Sequence, residues 1–260
     1  MYNDAGDLWN FYGTHLGQVA RRLIRRKIRA IWPNVTGLTV LGLGYSTPYL
    51  KPFRDEAERT FALMPAQQGV LHWPIEGQNL VALTEEGELP LQDVSVDRAL
   101  MVHGLECTEH LRQMLQEAWR VLSGNGRLMI VVPNRRGLWA RFERTPFGHG
   151  HPYSPSQLSR VLRANNFTPT LTTRALFVPP YPWHPVMRSA SGIEDIGERW
   201  FKQLGGVVIV EASKQIYATT KPRALRTKTH PLLPVPRPHI PATNGLSQGR
   251  RPLAIGETQD

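Results

Sequence analysis

The chain has 260 residues, 41% of them hydrophobic, with a formal charge of +10; this length suits one domain with extensions, or at most two small ones. Its single cysteine, Cys107, excludes a disulfide within the chain and fits a reducing cytoplasm. No apolar run approaches the ~18–20 residues of a membrane-spanning helix, and the opening MYNDAGDLWNFYG lacks the basic and apolar regions of a signal peptide, so a cytoplasmic location is expected.

The charge is unevenly spread. Between Asp7 and Asp55 no acidic residue occurs, whereas RRLIRRKIR sets Arg21, Arg22, Arg25, Arg26, Lys27 and Arg29 within nine positions. After Thr220, seven Lys and Arg face only Glu257 and Asp260, a balance of +5. An anionic partner, RNA or a membrane surface, is therefore worth testing. A solvated outer face on a capping helix explains the arginine run equally simply, and nothing resembles a sequence-reading nucleic-acid module.

In chain order, Leu8, Phe11, Tyr12, Leu16, Val19, Leu23, Ile24, Ile28, Ile31 and Trp32 recur at spacings of three and four. This predicts an amphipathic N-terminal helix over 7–32, with a break near Gly13 to Gly17 and an end at Pro33-Asn34. Strand-like runs (LTVLGLG, TFALMP, NLVALT, VDRALMVH, GRLMIVVPN, PTLTTRALFV, GGVVIVEASKQIYAT) then alternate with helix-like ones (RDEAERT, LRQMLQEAWRVL, SPSQLSRVLRANN) as far as about residue 220. Such alternation predicts an α/β fold with helices on both faces of a largely parallel sheet. In RVLSGNGRLMIVVPN a helix should end at Leu122 and turn through Gly124-Asn125-Gly126 into a strand buried on both faces. Residues 221–260 hold 7 of the 22 prolines and show no periodicity, which predicts a disordered basic tail.

Between Glu88 and Asn134 lie Leu89-Pro90-Leu91, Asp93, Val96-Asp97, Leu105-Glu106-Cys107, Arg120-Val121-Leu122, Gly124-Asn125-Gly126 and a strand to Pro133. In order and spacing this resembles the class I S-adenosylmethionine-dependent methyltransferases, specifically the methyltransferase type 11 group. HPYSPSQLSRVLRANNF is similar to the family's helix after strand 5, with Asn166 where glycine is usual. The resemblance covers roughly 35–220 and implies a Rossmann-like, doubly wound, seven-stranded sheet with its last strand antiparallel. It also implies S-adenosylmethionine as cofactor and methyl transfer to an acceptor the sequence does not identify. The expected organisation is an N-terminal helical extension (1–34), the methyltransferase domain (35–220) and the tail (221–260).

The family's acid-and-glycine loop reads here Gly42-Leu43-Gly44-Tyr45-Ser46-Thr47-Pro48. Gly44 is retained, Ser46 and Pro48 replace two glycines, and Gly42 replaces the acid. FALMPAQQG supplies no carboxylate for the ribose at the end of strand 2, and only Glu85 falls where the adenine-side acid belongs. Each lost hydrogen bond costs about 0.5–1.5 kcal/mol, so two such losses weaken cofactor binding by about one to two orders of magnitude without requiring its loss. The resemblance thus implies cofactor contacts from Gly42, Leu43, Gly44, Tyr45, Ser46, Glu85 and His103. Pro48 fits the first turn of a helix capped by Thr47, while Pro52 argues for a later start.

The long polar loop after strand 5 offers Asn134, Arg135, Arg136, Trp139, His149, His151 and Tyr153 as candidates for the acceptor side. PPYPWHPVM (179–187) reads as a rigid cover over the sheet edge. No metal set is expected: His103 falls on a strand end rather than one helix face with Cys107 and His110, and the HGH pair lacks a third ligand nearby. A second reading keeps the fold without the reaction, as a binding or regulatory protein engaging RNA or a membrane surface through its basic segments.

Overall fold

A computed structural model describes residues 3–181 and 189–216. The 221–260 tail and most of the 179–187 segment lie outside the described residues.

The predicted N-terminal helix is two helices, α1 (Ala5–Gly13) and α2 (His15–Ile31). Thr14 breaks them: its extended backbone ends the first, and its side-chain oxygen accepts the Gly17 N–H to cap the second. Strand β1 (Thr39–Gly44) is buried apart from its first residue and lies between β2 (Arg59–Pro65) and β4 (Val96–Val102), parallel to both. Strand β3 (Val81–Thr84) forms one edge beyond β2. On the other side lie β5 (Leu122–Pro133), β7 (Val207–Lys214) and β6 (Phe167–Ala175), with β7 antiparallel to both neighbours. The order β3-β2-β1-β4-β5-β7-β6 is a seven-stranded, doubly wound sheet.

Alternation along the strands builds two cores. Val40, Leu100, Val102, Met129, Val131 and Ile209 meet α1, α2 and α3 (Thr47–Arg54) on one face. Leu41, Leu43, Ala99, Leu128, Ile130 and Val210 meet α4 (Leu111–Val121) and α5 (Pro155–Ala164) on the other. The N-terminal helices belong to the first core: Leu8, Ile24 and Ile28 have no exposed surface. Each such side chain contributes about 1.5–3 kcal/mol of burial.

Three local expectations are corrected. Residues 54–60 are not a helix; the preceding helix is α3, which starts at Thr47, places Pro48 in its first turn and takes Pro52 inside. Gly124-Asn125-Gly126 is not a separate turn before the strand. Helix α4 runs directly into β5, and residues 123–126 bulge between the pairs Val96–Leu122 and Arg98–Arg127. The arginine run on α2 is not simply solvated. Arg26 and Lys27 pair with Asp195 and Glu198 of α6 (Ala190–Trp200), and Arg29 pairs with Glu56. Asn166 does take the left-handed conformation, with φ 61°.

The loop before β4 hangs on one guanidinium. Arg120 donates to the carbonyls of Leu89 and Leu91 and to the carboxylates of Asp93 and Glu117. Hydrogen bonds to charged groups are worth about 1.5–3 kcal/mol each, so Arg120→Met should cost about 2–4 kcal/mol in urea unfolding. Arg120→Lys should restore under half of it, because an ammonium cannot fork. Arg120 holds the Glu117 carboxyl below its usual range. Stability from this pair is therefore present above the unfolded carboxyl pKa of about 4.3 and lost as pH falls through the folded value. The gap between wild type and Arg120→Met should narrow below about pH 4.

Candidate functional site

The carboxyl ends of β1, β2 and β4 converge where an open α/β sheet ordinarily binds its ligand. Gly44 closes β1 in the left-handed region (φ 65°), and a Cβ there would lie 2.5 Å from the Val102 carbonyl oxygen and 3.1 Å from the Gly104 nitrogen. Only glycine meets both demands. Two residues upstream, a Cβ on Gly42 would lie 2.1 Å from Ser46 Oγ and 2.6 Å from Leu50 Cδ1. The two departures in the loop are thus one event, because the Ser46 side chain occupies the space beside Gly42.

His103 follows β4 with φ 51°, a conformation that non-glycine residues hold at a cost of about 1–3 kcal/mol and that concentrates at functional sites. It is fully buried. Its Nε2 is 2.7 Å from the Tyr12 hydroxyl, which is 2.8 Å from the Tyr49 hydroxyl. Its Nδ1 faces the buried Glu106 carboxylate at 3.4 Å, without hydrogen-bond geometry. The carboxylate favours the proton on Nδ1, which leaves Nε2 to accept from Tyr12. Burial raises the Tyr12 and Tyr49 phenols above their ordinary range, so both remain protonated at neutral pH. Tyr45 stacks on Tyr12 with centroids 6.0 Å apart, and Phe147 sits 5.0 Å from the His103 ring.

Gln68, after β2, is also fully buried, and its Nε2 donates to the His103 carbonyl at 2.9 Å. Strand β1 lies between β2 and β4, so this side chain spans the end of β1. Ser46 Oγ, Gln68 Oε1 and both Glu106 oxygens are buried without a hydrogen-bond partner among the described residues. The cavity lined by Leu43, Gly44, Leu63, Pro65, Thr84, Glu86, Leu89 and Met114 measures about 10 Å³, room for about one water. Outside it, an open groove of about 350 Å³ runs past Pro65, Gln67, Glu85, Glu88, His110 and Gln113.

The loop residues Gly42, Leu43, Gly44, Tyr45 and Ser46 and the strand-end His103 therefore gather at this point. Glu85 does not: it is exposed at the groove. The next residue, Glu86, is buried, lines the cavity and is hydrogen-bonded by Thr108. Just beyond β3 Glu85 is exposed and Glu86 is buried, and spacing alone could not choose between the two adjacent acids. Tyr12 and Gln68 were not singled out by the sequence.

The acceptor-side candidates disperse. Asn134 is buried, and its amide donates to the carbonyls of Gln203 and Gly205, fastening the approach to β7. Trp139 is a core residue whose indole N–H donates to the Val178 carbonyl at 2.7 Å. Arg135, Arg136, His149 and His151 are exposed, and Tyr153 packs against the second core. Asn134 and Trp139 are therefore held in the interior rather than presented to an acceptor. Among the described residues no group of three or more His, Cys, Asp or Glu is placed to hold a metal ion, and no helix is long and apolar enough to cross a membrane.

Residues 35–130, which contain this glycine loop and strand end, match the family model described as a methyltransferase domain. The fold is that of the class I S-adenosylmethionine-dependent methyltransferases. A methyltransferase crystallised with the Haloferax volcanii Trm112 activator is 17% identical, with 83% of this chain and 100% of that one covered and a TM-score of 0.58. A SAM-dependent methyltransferase from Archaeoglobus fulgidus is 19% identical over 79% and 96% of the two chains, with a TM-score of 0.54. One from Thermotoga maritima, described as a possible histamine N-methyltransferase, is 16% identical over 77% and 92%, also at 0.54. No curated protein matches the sequence.

In this methyltransferase fold the loop's two departures should be energetically coupled. Gly42→Ala should cost about 1–3 kcal/mol through overpacking against Ser46 and Leu50. Adding Ser46→Gly should return at least about 1 kcal/mol of that in a double-mutant cycle read by chemical denaturation.

Proposed function

We propose that this protein transfers a methyl group from S-adenosylmethionine, with the cofactor seated at the carboxyl ends of β1, β2 and β4. The observation that carries the reading is Gly44: a left-handed glycine pressed against the end of β4, within the segment that matches the methyltransferase model. The donor set around it suits the cofactor. The buried Ser46 Oγ, without a hydrogen-bond partner among the described residues, could meet its amino-acid group, and Glu86 with the apolar Leu63, Leu89 and Met114 could flank its adenine. These assignments replace Glu85 by Glu86 and otherwise keep Gly42 to Ser46 and His103.

The bound cofactor supplies an electrophilic methyl group on a sulfonium. The chain's own part is to orient the partners and exclude water. Burial of Tyr12, Tyr45, Tyr49, Phe147 and His103 makes the strand end a dry, aromatic place. His103 Nε2, faced on its other side by Glu106, holds the Tyr12 hydroxyl at 2.7 Å and is the group there able to serve as a general base once that hydroxyl leaves it. The acceptor approaches from the side of the 134–153 loop, where exposed Arg135 and His151 are the surface groups to test. We take 35–220 as the catalytic unit, with α1 and α2 as its N-terminal extension.

Titration of the full chain with S-adenosylhomocysteine by calorimetry checks the cofactor assignment. Binding in the high-micromolar range is expected from the missing ribose carboxylate, and no heat at millimolar ligand contradicts the assignment. The second reading, a non-catalytic protein on an anionic partner, would then rest on the cations left unpaired on α2, of which Arg22 is exposed.

A further inference from the structure

We infer that the cofactor seat is filled by the chain itself, and that Tyr12 and Gln68 must withdraw together before a nucleoside-sized ligand can enter. The inference rests on the cofactor reading above and adds its regulation.

Three observations carry it. Gln68 reaches from the end of β2 to the His103 carbonyl on the far side of β1, so its amide bridges directly in front of Gly44. Tyr12, from α1, binds the imidazole of that same His103, with Tyr45 and Tyr49 closing around it. The cavity that Gly44 lines, bounded by Leu63, Leu89 and Met114 rather than by Tyr12 or Gln68, is about 10 Å³, whereas small-molecule sites measure about 300–1,000 Å³. Ser46 Oγ and the Glu106 oxygens, without hydrogen-bond partners among the described residues, are those a polar ligand would otherwise satisfy.

His103 is the shared latch. Its carbonyl takes the Gln68 amide and its ring takes the Tyr12 hydroxyl, so loss of one contact loosens the residue that anchors the other. Helix α1 is the element that can move: Ala5, Leu8 and Tyr12 face the core, while Asp4, Asp7, Trp9, Asn10 and Gly13 are exposed or half-exposed. Thr14, an extended residue between two helices, is the hinge. The outer groove along Pro65, Gln67 and Glu88 gives the adenosine half a landing place while the inner half is still shut. Affinity is then reduced by the fraction of molecules in which α1 has swung out, and it rises when the latch is removed.

The test uses full-length wild type, Tyr12→Phe, Tyr12→Ala and Gln68→Ala with S-adenosylhomocysteine, read by calorimetry and by stopped-flow fluorescence. Tyr12→Ala and Gln68→Ala should each bind at least about tenfold tighter than wild type, and Tyr12→Phe, which keeps the ring but not the hydrogen bonds, a few-fold tighter. The wild-type observed rate should level off as ligand increases, set by opening, while that of the variants keeps rising. Wild-type kinetics and the conservative Phe variant remain informative if the Ala variants fold poorly. Equal affinities, or weaker binding by the variants, overturn the latch and leave the cofactor reading standing. No binding by any of the four at millimolar ligand overturns both.

Discussion

One residue at the end of β4 collects the strongest constraints in the molecule. His103 is buried, held in a left-handed backbone conformation, bonded through its carbonyl to Gln68 and through its ring to Tyr12, and faced by a carboxylate without a hydrogen-bond partner among the described residues. Each of those partners comes from a different part of the chain, so the hydrogen bonds tie α1, the β2 end and β4 to a single point. Cost and placement coincide there: a strained residue and unpaired buried oxygens persist only where the surrounding structure over-determines them. They sit at the carboxyl edge of the central strands, where folds of this class place their chemistry.

The fold around that point follows from ordinary rules. Parallel strands covered on both sides need near-continuous apolar runs, and β1, β4 and β5 have them; β7, antiparallel, joins β5 to the edge strand β6. Arg120 ties the loop before β4 to α4, which fixes where that strand begins and hence where His103 ends it. The six cations clustered on α2 do a quieter task than their number suggests, since three of them, Arg26, Lys27 and Arg29, pair with acids of α6 and with Glu56. Exposed pairs of that kind are worth about 0–1 kcal/mol, so they orient the helix more than they stabilise it.

The sheet, the N-terminal helices, α4 and α5 were legible because apolar periodicity and turn chemistry are local signals; α3 was placed too late in the chain and α6 was not foreseen. The glycine loop was legible for the same reason, although its meaning was not. Gly42 and Ser46 looked like two losses, and only the distance between them reveals one compensated exchange. The acid facing the cavity was missed by one residue, because Glu85 and Glu86 are adjacent and strand-end geometry decides which turns inward. Trp139 suggested an acceptor-side residue by its place in a long loop, yet its indole N–H found a carbonyl and the ring went into the core. Tyr12 was visible as part of an apolar helical stripe, but its partner His103 is 91 positions away. Gln68 stood in a stretch noted only for lacking an acid. Contacts of that range leave no mark in periodicity.

The central claim is that the cofactor seat and the N-terminal helix compete for the same space. Hydrogen–deuterium exchange of the full-length protein, with and without S-adenosylhomocysteine, measures that competition directly. Saturating ligand should protect the amides around Gly44 and His103 while those of residues 8–13 exchange faster, because α1 has been displaced. Protection of both segments would contradict the account, since it would mean that ligand and helix occupy the site together.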